Sequence, residues 1–270
     1  MELPRRVRNK IQDLKALLNF SQPVCVALQE TFLKSNLNFK LRGYNCVRKD
    51  VDSVTTPSEG VCILTSNSYS SSPLSLRTPL QAVAVQVHIR TLVTVCCIYL
   101  PPHDVISLDD LNALVYQLPA PFLLIGDFNG HSTLWGSDCT NSRGRQIEQF
   151  ISDNCICLLN NDEKTYFHEP TRTSDSLDLA ICSTLLPLLN FTVGRDLCNS
   201  DHFPIIVSYA DSGGAIQYPP RYLFQRADWD NFMQLADITE SMVNTADITE
   251  AVQDVVDCLI NAANNIVAHV

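Results

Sequence analysis

The stretch that most constrains the fold runs from residue 122 to residue 131 and reads Phe-Leu-Leu-Ile-Gly-Asp-Phe-Asn-Gly-His. Its four leading apolar residues are typical of a buried β-strand, and the glycine predicts the end of that strand. Asp127 and Asn129 lie two positions apart, so on an extended backbone both side chains leave on the same side. A carboxylate can hold a metal ion or take a proton from water, and a neutral carboxamide can donate to a phosphoryl oxygen. The pattern therefore predicts a sheet rim whose polar groups suit attack on a phosphodiester.

A second polar group, Ser200-Asp201-His202, directly precedes the apolar strand pattern 203–207. Histidine changes its charge near neutral pH and usually needs an acidic partner that fixes its tautomer. Asp178 is the candidate partner because it interrupts an otherwise apolar strand pattern. The alternative for Asp178 is a solvated carboxylate at a strand turn.

Two further polar residues follow predicted strands. Glu30 comes after the apolar run 24–28, and Tyr99 closes the apolar run that begins at residue 92. Alone, Glu30 indicates little, and most tyrosines at strand ends are edges of the core.

Five short motifs occur along the chain: Gln-Glu-Thr at 29–31, Tyr-Leu-Pro-Pro at 99–102, Gly-Asp-Phe-Asn at 126–129, Leu-Asp at 177–178 and Ser-Asp-His at 200–202. Their order and combination resemble the endonuclease/exonuclease/phosphatase superfamily, over roughly residues 5–208. Residues 129–137 are similar to the endonuclease domain of non-LTR retrotransposons of the jockey or I type, as are residues 60–64 and 78–85. The resemblance implies an α/β fold of the DNase I type, a two-sheet β-sandwich with flanking helices.

The resemblance also implies a divalent-metal centre, with Mg²⁺ as cofactor and Mn²⁺ as the alternative ion. The expected metal ligands are Glu30, Asp127, Asn129, Asp201 and His202. Among them, Asp127 orients or deprotonates the attacking water, and Asp201 positions metal or water.

A set of phosphate and DNA contacts is implied as well: Tyr99, Asn129, His131, Ser200 and His202. The expected catalytic cluster consists of Glu30, Tyr99, Asp127, Asn129, Asp178, Asp201 and His202. Within it, Asp178 orients the His202 imidazole.

The loop after residue 130 contains two further residues of interest, His131 and Trp135. For His131, the spacing fits a structural hydrogen bond within its loop as well as a DNA contact. Trp135 is expected to pack beneath that loop rather than stack on a base.

One departure from the family pattern concerns the start of the chain. The family has a strand ending in Trp-Asn before its first helix, whereas here the helical pattern begins almost at once, with Val7, Ile11 and Leu14. The expectation is a domain that lacks the first strand, a fragment truncated at both ends with impaired cleavage.

Charge is unevenly distributed over the 270 residues. The net charge is −3 through residue 210, with 20 acidic against 17 basic residues, and −7 thereafter, with 9 against 2. Binders of bare DNA are usually basic, so this balance favours metal-bridged contact with a local basic rim. The candidate rim residues are Arg143, Arg145, Arg172 and Arg195, and scattered surface charges are the alternative.

The Gly-containing segment 211–215 predicts a domain boundary. Residues 1–210 would form the endonuclease/exonuclease/phosphatase domain. Residues 211–270 would form a linker and a helical C-terminal tail, a spacer that in the family leads to a reverse transcriptase. Asp247 and Glu250 have the spacing of a helix cap, and an apolar stripe from Val252 to Ile266 follows.

The 11 cysteines include no Cys-x-x-Cys motif, which indicates a reducing compartment. No stretch has the length of a membrane span or the core of a signal peptide. The expected location is intracellular, in the nucleus for access to DNA, and the oligomeric state is left open.

Apolar patterns predict strands near residues 23–29, 43–48, 60–66, 80–89, 91–99, 121–126, 155–160, 177–182 and 204–208. Helical patterns lie near 5–19, 107–118 and 142–152, the second with Ser107 as its cap.

The sequence leads to one main functional hypothesis and two alternatives. The first is a Mg²⁺-dependent endonuclease domain that nicks duplex DNA so that a reverse transcriptase elsewhere in the intact polyprotein can prime. The second is a catalytically decayed fragment or interaction module of the same fold. The third is a phosphoesterase that acts on an inositol phosphate, a sphingolipid or RNA.

Overall fold

A computed structural model describes residues 5–51, 58–184, 186, 189–209, 228–239, 242 and 248–266. The chain divides into two compact units, Met1–Gly213 and Gly214–Val270. Among the described helices, none has the length and apolar character needed to cross a bilayer.

The first unit contains the helices α1 (Arg5–Ser21), α2 (Leu108–Val115) and α3 (Ser142–Asp153). Its strands are β1 (Cys25–Leu28), β2 (Tyr44–Val51), β3 (Ser58–Ser66), β4 (Ser71–Leu74), β5 (Gln81–His88), β6 (Leu92–Tyr99), β7 (Phe122–Asp127), β8 (Cys157–Leu158), β9 (Tyr166–His168), β10 (Thr173–Asp175), β11 (Asp178–Cys182), β12 (Leu189–Val193) and β13 (Ile205–Tyr209). Residues 1–4, which precede α1, lie outside the described residues, so the expected lack of a first strand stays a prediction.

A six-stranded sheet in the order β4-β5-β6-β7-β11-β8 is the centre of this unit. Strands β6 and β7 run parallel, joined by a crossover that contains α2, and the other neighbours in this sheet are antiparallel. The largely apolar sequences of β6 and β7 suit this position, because central strands are covered on both faces.

Each face of the large sheet has its own core. On one face, Leu111 and Leu114 of α2 and Phe150 of α3 pack against apolar residues of β6 and β7. On the other face, Val61 and Ile63 of the antiparallel sheet β1-β3-β2 pack against the valines of β5 and β6. The expected α/β sandwich of two sheets with flanking helices is therefore confirmed.

Most predicted elements are present, with shifted ends. The sequence does not predict strands β4, β9, β10 and β12, because they are short and some, such as Thr173–Asp175, are polar. The strand expected over 155–160 is reduced to Cys157–Leu158. Ser107 caps α2 as expected, since its Oγ accepts the Asp110 N–H at 3.0 Å.

The second unit contains α4 (Trp229–Leu235) and α5 (Ile248–Ile266). Asp228 caps the start of α4, because its Oδ1 accepts the Asn231 N–H at 3.2 Å. Helix α5 coincides with the predicted apolar stripe, although Asp247 of the expected cap and the segment 211–215 lie outside the described residues.

Candidate active site

The site is built on a row of residues that are paired across adjacent strands. Tyr99 at the end of β6 lies opposite Asp127 of β7, and Asp127 lies opposite Asp178 of β11. Sheet register therefore brings together three polar residues from distant parts of the sequence. On the other side of β6, Gln81 pairs with Tyr99 and extends the row.

Gly126 makes this row possible. A Cβ atom at this position would lie 1.8 Å from the carbonyl oxygen of Ile98, so only glycine lets β7 approach β6 this closely. The interpretation that the glycine ends the strand is wrong, because β7 continues through Asp127. The glycine instead allows the pairing that places Asp127 opposite Tyr99.

Asn129 does not continue the strand. Its φ angle is 48°, and the resulting turn brings its backbone N–H to Asp127 Oδ1 at 2.9 Å and its Nδ2 to Asp127 Oδ2 at 2.7 Å. The expected arrangement, with both side chains projecting side by side from an extended backbone, is therefore wrong. An aspartate that accepts the backbone N–H of the second residue after it forms a common turn, and here that turn joins the two polar groups directly.

The carboxamide of Asn129 has a defined orientation. Its Nδ2 also donates to the Leu100 carbonyl at 3.2 Å, and because a carbonyl can only accept, the nitrogen must face it. Both amide hydrogens are thus directed at Leu100 and Asp127. Asn129 can offer its Oδ1, which is an acceptor, so the structure argues against the expected donation to a phosphoryl oxygen.

The Asp127 carboxyl group is buried, with 6% of the residue's surface exposed. Burial raises its pKa to about 7, aided by the charges of Asp178 and Glu30 and opposed by His202 and the Asn129 N–H. A carboxyl group with a pKa near neutrality can exchange a proton with water at working pH, which suits a general base.

His202 forms the expected pair with Asp178. The His202 Nδ1 lies 2.7 Å from Asp178 Oδ2, and the hydroxyl of Thr165 accepts the Asp178 backbone N–H at 3.0 Å. Burial lowers the pKa of His202, but Asp178, Asp127 and Asp201 outweigh it and raise the pKa to about 9. The imidazole is therefore a cation at neutral pH. A metal-ligand role for His202 stays a prediction, and its Nδ1 is already engaged by Asp178.

Glu30 and Tyr99 contact each other. The Tyr99 hydroxyl donates to Glu30 Oε1 at 2.7 Å, so the phenol holds the carboxylate rather than standing free to reach a phosphate. Burial and the Glu30 carboxylate raise the pKa of Tyr99, which keeps the phenol a proton donor. Glu30 has a φ angle of 47°, and the N–H groups of Thr31 and Phe32 donate to carbonyls at the start of β3. The loop that carries Glu30 is thereby fixed.

Ser200 and Asp201 shape the turn before His202. The Ser200 Oγ accepts the His202 N–H at 3.3 Å, and the Asp201 carbonyl accepts the Phe167 N–H at 2.8 Å. The Asp201 side chain is exposed, and its charge acts on His202. A metal-ligand role for Asp201 stays a prediction.

His131 is held by a carboxylate of its own. Its Nδ1 lies 2.7 Å from Asp175 Oδ2, while the other oxygen of Asp175 accepts the Ser137 hydroxyl at 2.6 Å. Trp135 is fully buried and its Nε1 donates to the Gly130 carbonyl at 3.0 Å, which agrees with the expected packing beneath the loop.

The structure does not place Arg143 on the predicted basic rim. The Arg143 guanidinium is partly buried and donates to backbone carbonyls, including Pro101 at 2.8 Å, so it is not a surface charge open to DNA. Arg145, Arg172 and Arg195 are exposed.

Two neighbours of the site are missed by the sequence reasoning. The Gln81 side chain accepts the Gly60 N–H at 3.1 Å and donates to Glu59, and the Tyr166 ring lies 4.8 Å from the His202 ring. Gln81 could have been recognised from the sequence, because it is a polar residue at the start of an apolar strand. Tyr166 lies in a strand of three residues, which has no periodicity to detect.

The donor set suits a hard divalent cation. Glu30, Asp127 and the Asn129 Oδ1 would be its oxygen ligands, and a bound cation would offset the charges of Asp178 and Glu30, which add to burial in raising the pKa of Asp127. In the described part of the chain, no three His, Cys, Asp or Glu side chains form a metal cage. Mg²⁺ commonly takes one or two carboxylates and completes its shell with water and phosphate oxygens, so the set is compatible with it.

The chain is similar to known proteins in sequence and in structure. A family model described as endonuclease-reverse transcriptase matches residues 93–206. The chain is 20% identical to the endonuclease domain of TRAS1, a telomere-specific non-LTR retrotransposon, with a TM-score of 0.64 over 76% of this chain and 94% of that one. The chain therefore has the fold of the TRAS1 endonuclease domain, and residues 93–206 resemble the endonuclease-reverse transcriptase family.

The chain is also related in sequence to polymerases of mobile elements. It is 23% identical to a probable RNA-directed DNA polymerase from the Drosophila melanogaster transposon X-element, over 94% of this chain and 28% of that protein. It is 26% identical to the RNA-directed DNA polymerase from the Drosophila melanogaster mobile element jockey, over 71% of this chain and 22% of that protein. The chain thus spans about a quarter of the length of these relatives.

Proposed function

We propose that this chain is an endonuclease domain of a non-LTR retrotransposon protein and that it nicks duplex DNA in a Mg²⁺-dependent reaction, with Mn²⁺ as an alternative ion. The observation that carries the proposal is the row at the end of the central sheet, where Tyr99, Asp127 and Asp178 are neighbours on adjacent strands. Tyr99 holds Glu30, and Asp178 holds His202. The proton acceptor Asp127, the metal ligand Glu30 and the cation His202 would therefore lie at one edge of the sheet.

Asp127 would accept a proton from the attacking water as the water oxygen binds phosphorus. The bond from phosphorus to the 3′ oxygen of the DNA would break in the same displacement, and that oxygen would take a proton from solvent to leave as a 3′ hydroxyl. The Asn129 backbone N–H and Nδ2 hold both oxygens of this carboxylate, which fixes its direction. A metal held by Glu30, Asp127 and the Asn129 Oδ1 would supply positive charge to the phosphate and lower the pKa of water.

His202 would stabilise the charge that develops on the phosphoryl oxygens. Its Nδ1–H donates to Asp178, so its Nε2–H is directed away from that carboxylate and is the candidate donor to the phosphate. Tyr99 would act on the phosphate indirectly, by holding Glu30.

The remaining candidate residues would act at the edge of the site. Ser200 orders the turn before His202, and Asp201 adds negative charge beside the ring. Asp201 would position metal or water, and His131 is the candidate contact to a neighbouring phosphate of the DNA.

The partners proposed for the intact polyprotein are its duplex DNA target and a reverse transcriptase domain that is primed by the nick. The X-element and jockey relatives, which are named as RNA-directed DNA polymerases, support this proposal. Action on genomic DNA would require the nucleus. Residues 211–270 would form the spacer towards the polymerase.

A plasmid assay tests the proposal. Supercoiled DNA should be converted to the nicked form in the presence of Mg²⁺, and EDTA or the substitution Asp127→Asn should abolish the conversion. Soluble inositol phosphate, sphingomyelin vesicles and single-stranded RNA serve as competing substrates in parallel. Faster hydrolysis of any of these would contradict DNA as the substrate, and a lack of activity on all substrates would favour an interaction module.

A further inference from the structure

The Arg143 guanidinium is anchored to the segment that follows β6. Its Nη1 donates to the Leu100 carbonyl at 3.2 Å and the Pro101 carbonyl at 2.8 Å, and its Nη2 donates to the Asp104 carbonyl at 2.5 Å. All three acceptors are backbone oxygens just after Tyr99. One side chain of α3 thus fixes the path of the chain as it leaves the central sheet.

Leu100 connects this anchor to the reacting groups. Its N–H donates to the Asp127 carbonyl at 2.9 Å, and its own carbonyl accepts the Asn129 Nδ2 at 3.2 Å. Arg143 and Asn129 therefore share one acceptor. Displacement of the Leu100 carbonyl would release the carboxamide that holds Asp127 Oδ2.

The helix turn that carries Arg143 is fixed from the other side. Asn141 Oδ1 accepts the Gly144 N–H at 2.7 Å and the His131 N–H at 3.3 Å, and the Asn141 N–H donates to the His131 carbonyl at 3.0 Å. A Cβ atom at Gly144 would lie 1.8 Å from that carbonyl oxygen, so the contact requires glycine. The start of α3 is therefore fastened both to the loop after β6 and to the loop after β7.

We infer that Arg143 is a positioning residue that orients Asn129 and Asp127 through the Leu100 carbonyl, and not a contact for the DNA backbone. The kinetic test of this inference rests on the proposed function, but its structural content does not. A lysine cannot replace this role, because a single ammonium lacks the planar fork that reaches three carbonyls at once.

A positioning role and a DNA-contact role for Arg143 predict different kinetic effects of its loss. Loss of a positioning residue should lower kcat at saturating DNA and Mg²⁺ by about 10- to 100-fold, because misplaced reacting groups lose rate rather than affinity. Loss of a phosphate contact should raise the KM for DNA and reduce the slope of log affinity against log salt by about one.

The experiment compares Arg143→Ala and Arg143→Lys with Arg77→Ala, which removes the same charge from an exposed position outside the site. We expect both Arg143 variants to lose kcat with a KM within about twofold of the parent, and added guanidinium chloride at millimolar concentration to restore part of the rate of Arg143→Ala only. Arg77→Ala should keep both the parent kcat and the parent KM. An unchanged kcat with a raised KM in Arg143→Ala would overturn the inference.

A second measurement does not depend on activity. In the parent protein, NMR should show the Asn129 side-chain amide protons protected from exchange, and Arg143→Lys should lose this protection while the protein stays folded. If the parent protein cleaves nothing, the proposed function fails but this measurement still decides the role of Arg143. Unchanged protection in Arg143→Lys would refute the inference.

Discussion

Replacing Asp178 by asparagine should shift the pH range in which the enzyme works. Asp178 is the strongest of the charges that raise the pKa of His202, and it lies 2.7 Å from the ring nitrogen. With a pKa of about 9, about 90% of His202 is protonated at pH 8, compared with about 3% for a histidine of ordinary pKa near 6.5. A complete return to the ordinary pKa would lower the protonated fraction about thirtyfold at pH 8. Because the charges of Asp127 and Asp201 still raise the pKa of His202 in the variant, we expect activity at pH 8 to fall by only about tenfold.

The assay is the nicking rate from about pH 6 to about pH 10 at saturating Mg²⁺. The alkaline limb of the profile should move down by about one pH unit or more in Asp178→Asn, and the loss should be smallest near the acidic end. Asp175→Asn is the matched control, because Asp175 also holds a histidine, His131, and lies nearby in the sequence. The control should leave the alkaline limb in place.

Stability gives an independent check with a defined sign. The folded-state pKa of His202 is raised, so its interaction with Asp178 contributes fully below the unfolded pKa near 6.5 and is lost as the pH rises through about 9. The difference in Tm between the parent and Asp178→Asn should therefore be larger at about pH 6 than at about pH 10. A loss of activity that is equal at every pH, with an unmoved alkaline limb, would refute the reasoning.

Other predictions follow from single contacts. Tyr99→Phe removes the 2.7 Å hydrogen bond to Glu30 and should raise the Mg²⁺ concentration for half-maximal activity several-fold, as measured by metal titration, with an unchanged KM for DNA. Trp135→Ala should lower the free energy of unfolding by about 3–5 kcal/mol. Trp135→Phe, which loses the bond to Gly130 and part of the ring volume, should lower it by about 2 kcal/mol; both values come from urea titrations. Gly126→Ala should yield no native protein, because its Cβ would overlap a carbonyl of β6. A native circular dichroism spectrum for this variant would contradict the close approach of the two strands.

The sequence predicts the frame of the molecule well, because β6 and β7 are apolar runs and α2 and α3 have clear helical periods. It also predicts the pair of Asp178 and His202, since an acid within an apolar strand needs a partner. It does not predict the turn at Asn129, because a positive φ angle leaves no trace in hydrophobic periodicity. The role of Arg143 is equally hidden, since its acceptors are backbone carbonyls that belong to no motif.

The alignment of Tyr99, Asp127 and Asp178 across three strands has a consequence for how variants of this enzyme can fail. Side chains alternate between the two faces of a strand, so a slip of β7 by a single residue would turn the Asp127 carboxylate to the opposite face. A misfolded form with slipped pairing would keep its secondary structure and its apolar content and yet hydrolyse nothing. Catalytic activity is therefore a more sensitive reporter of correct strand pairing in this domain than any spectroscopic measure of β-sheet content.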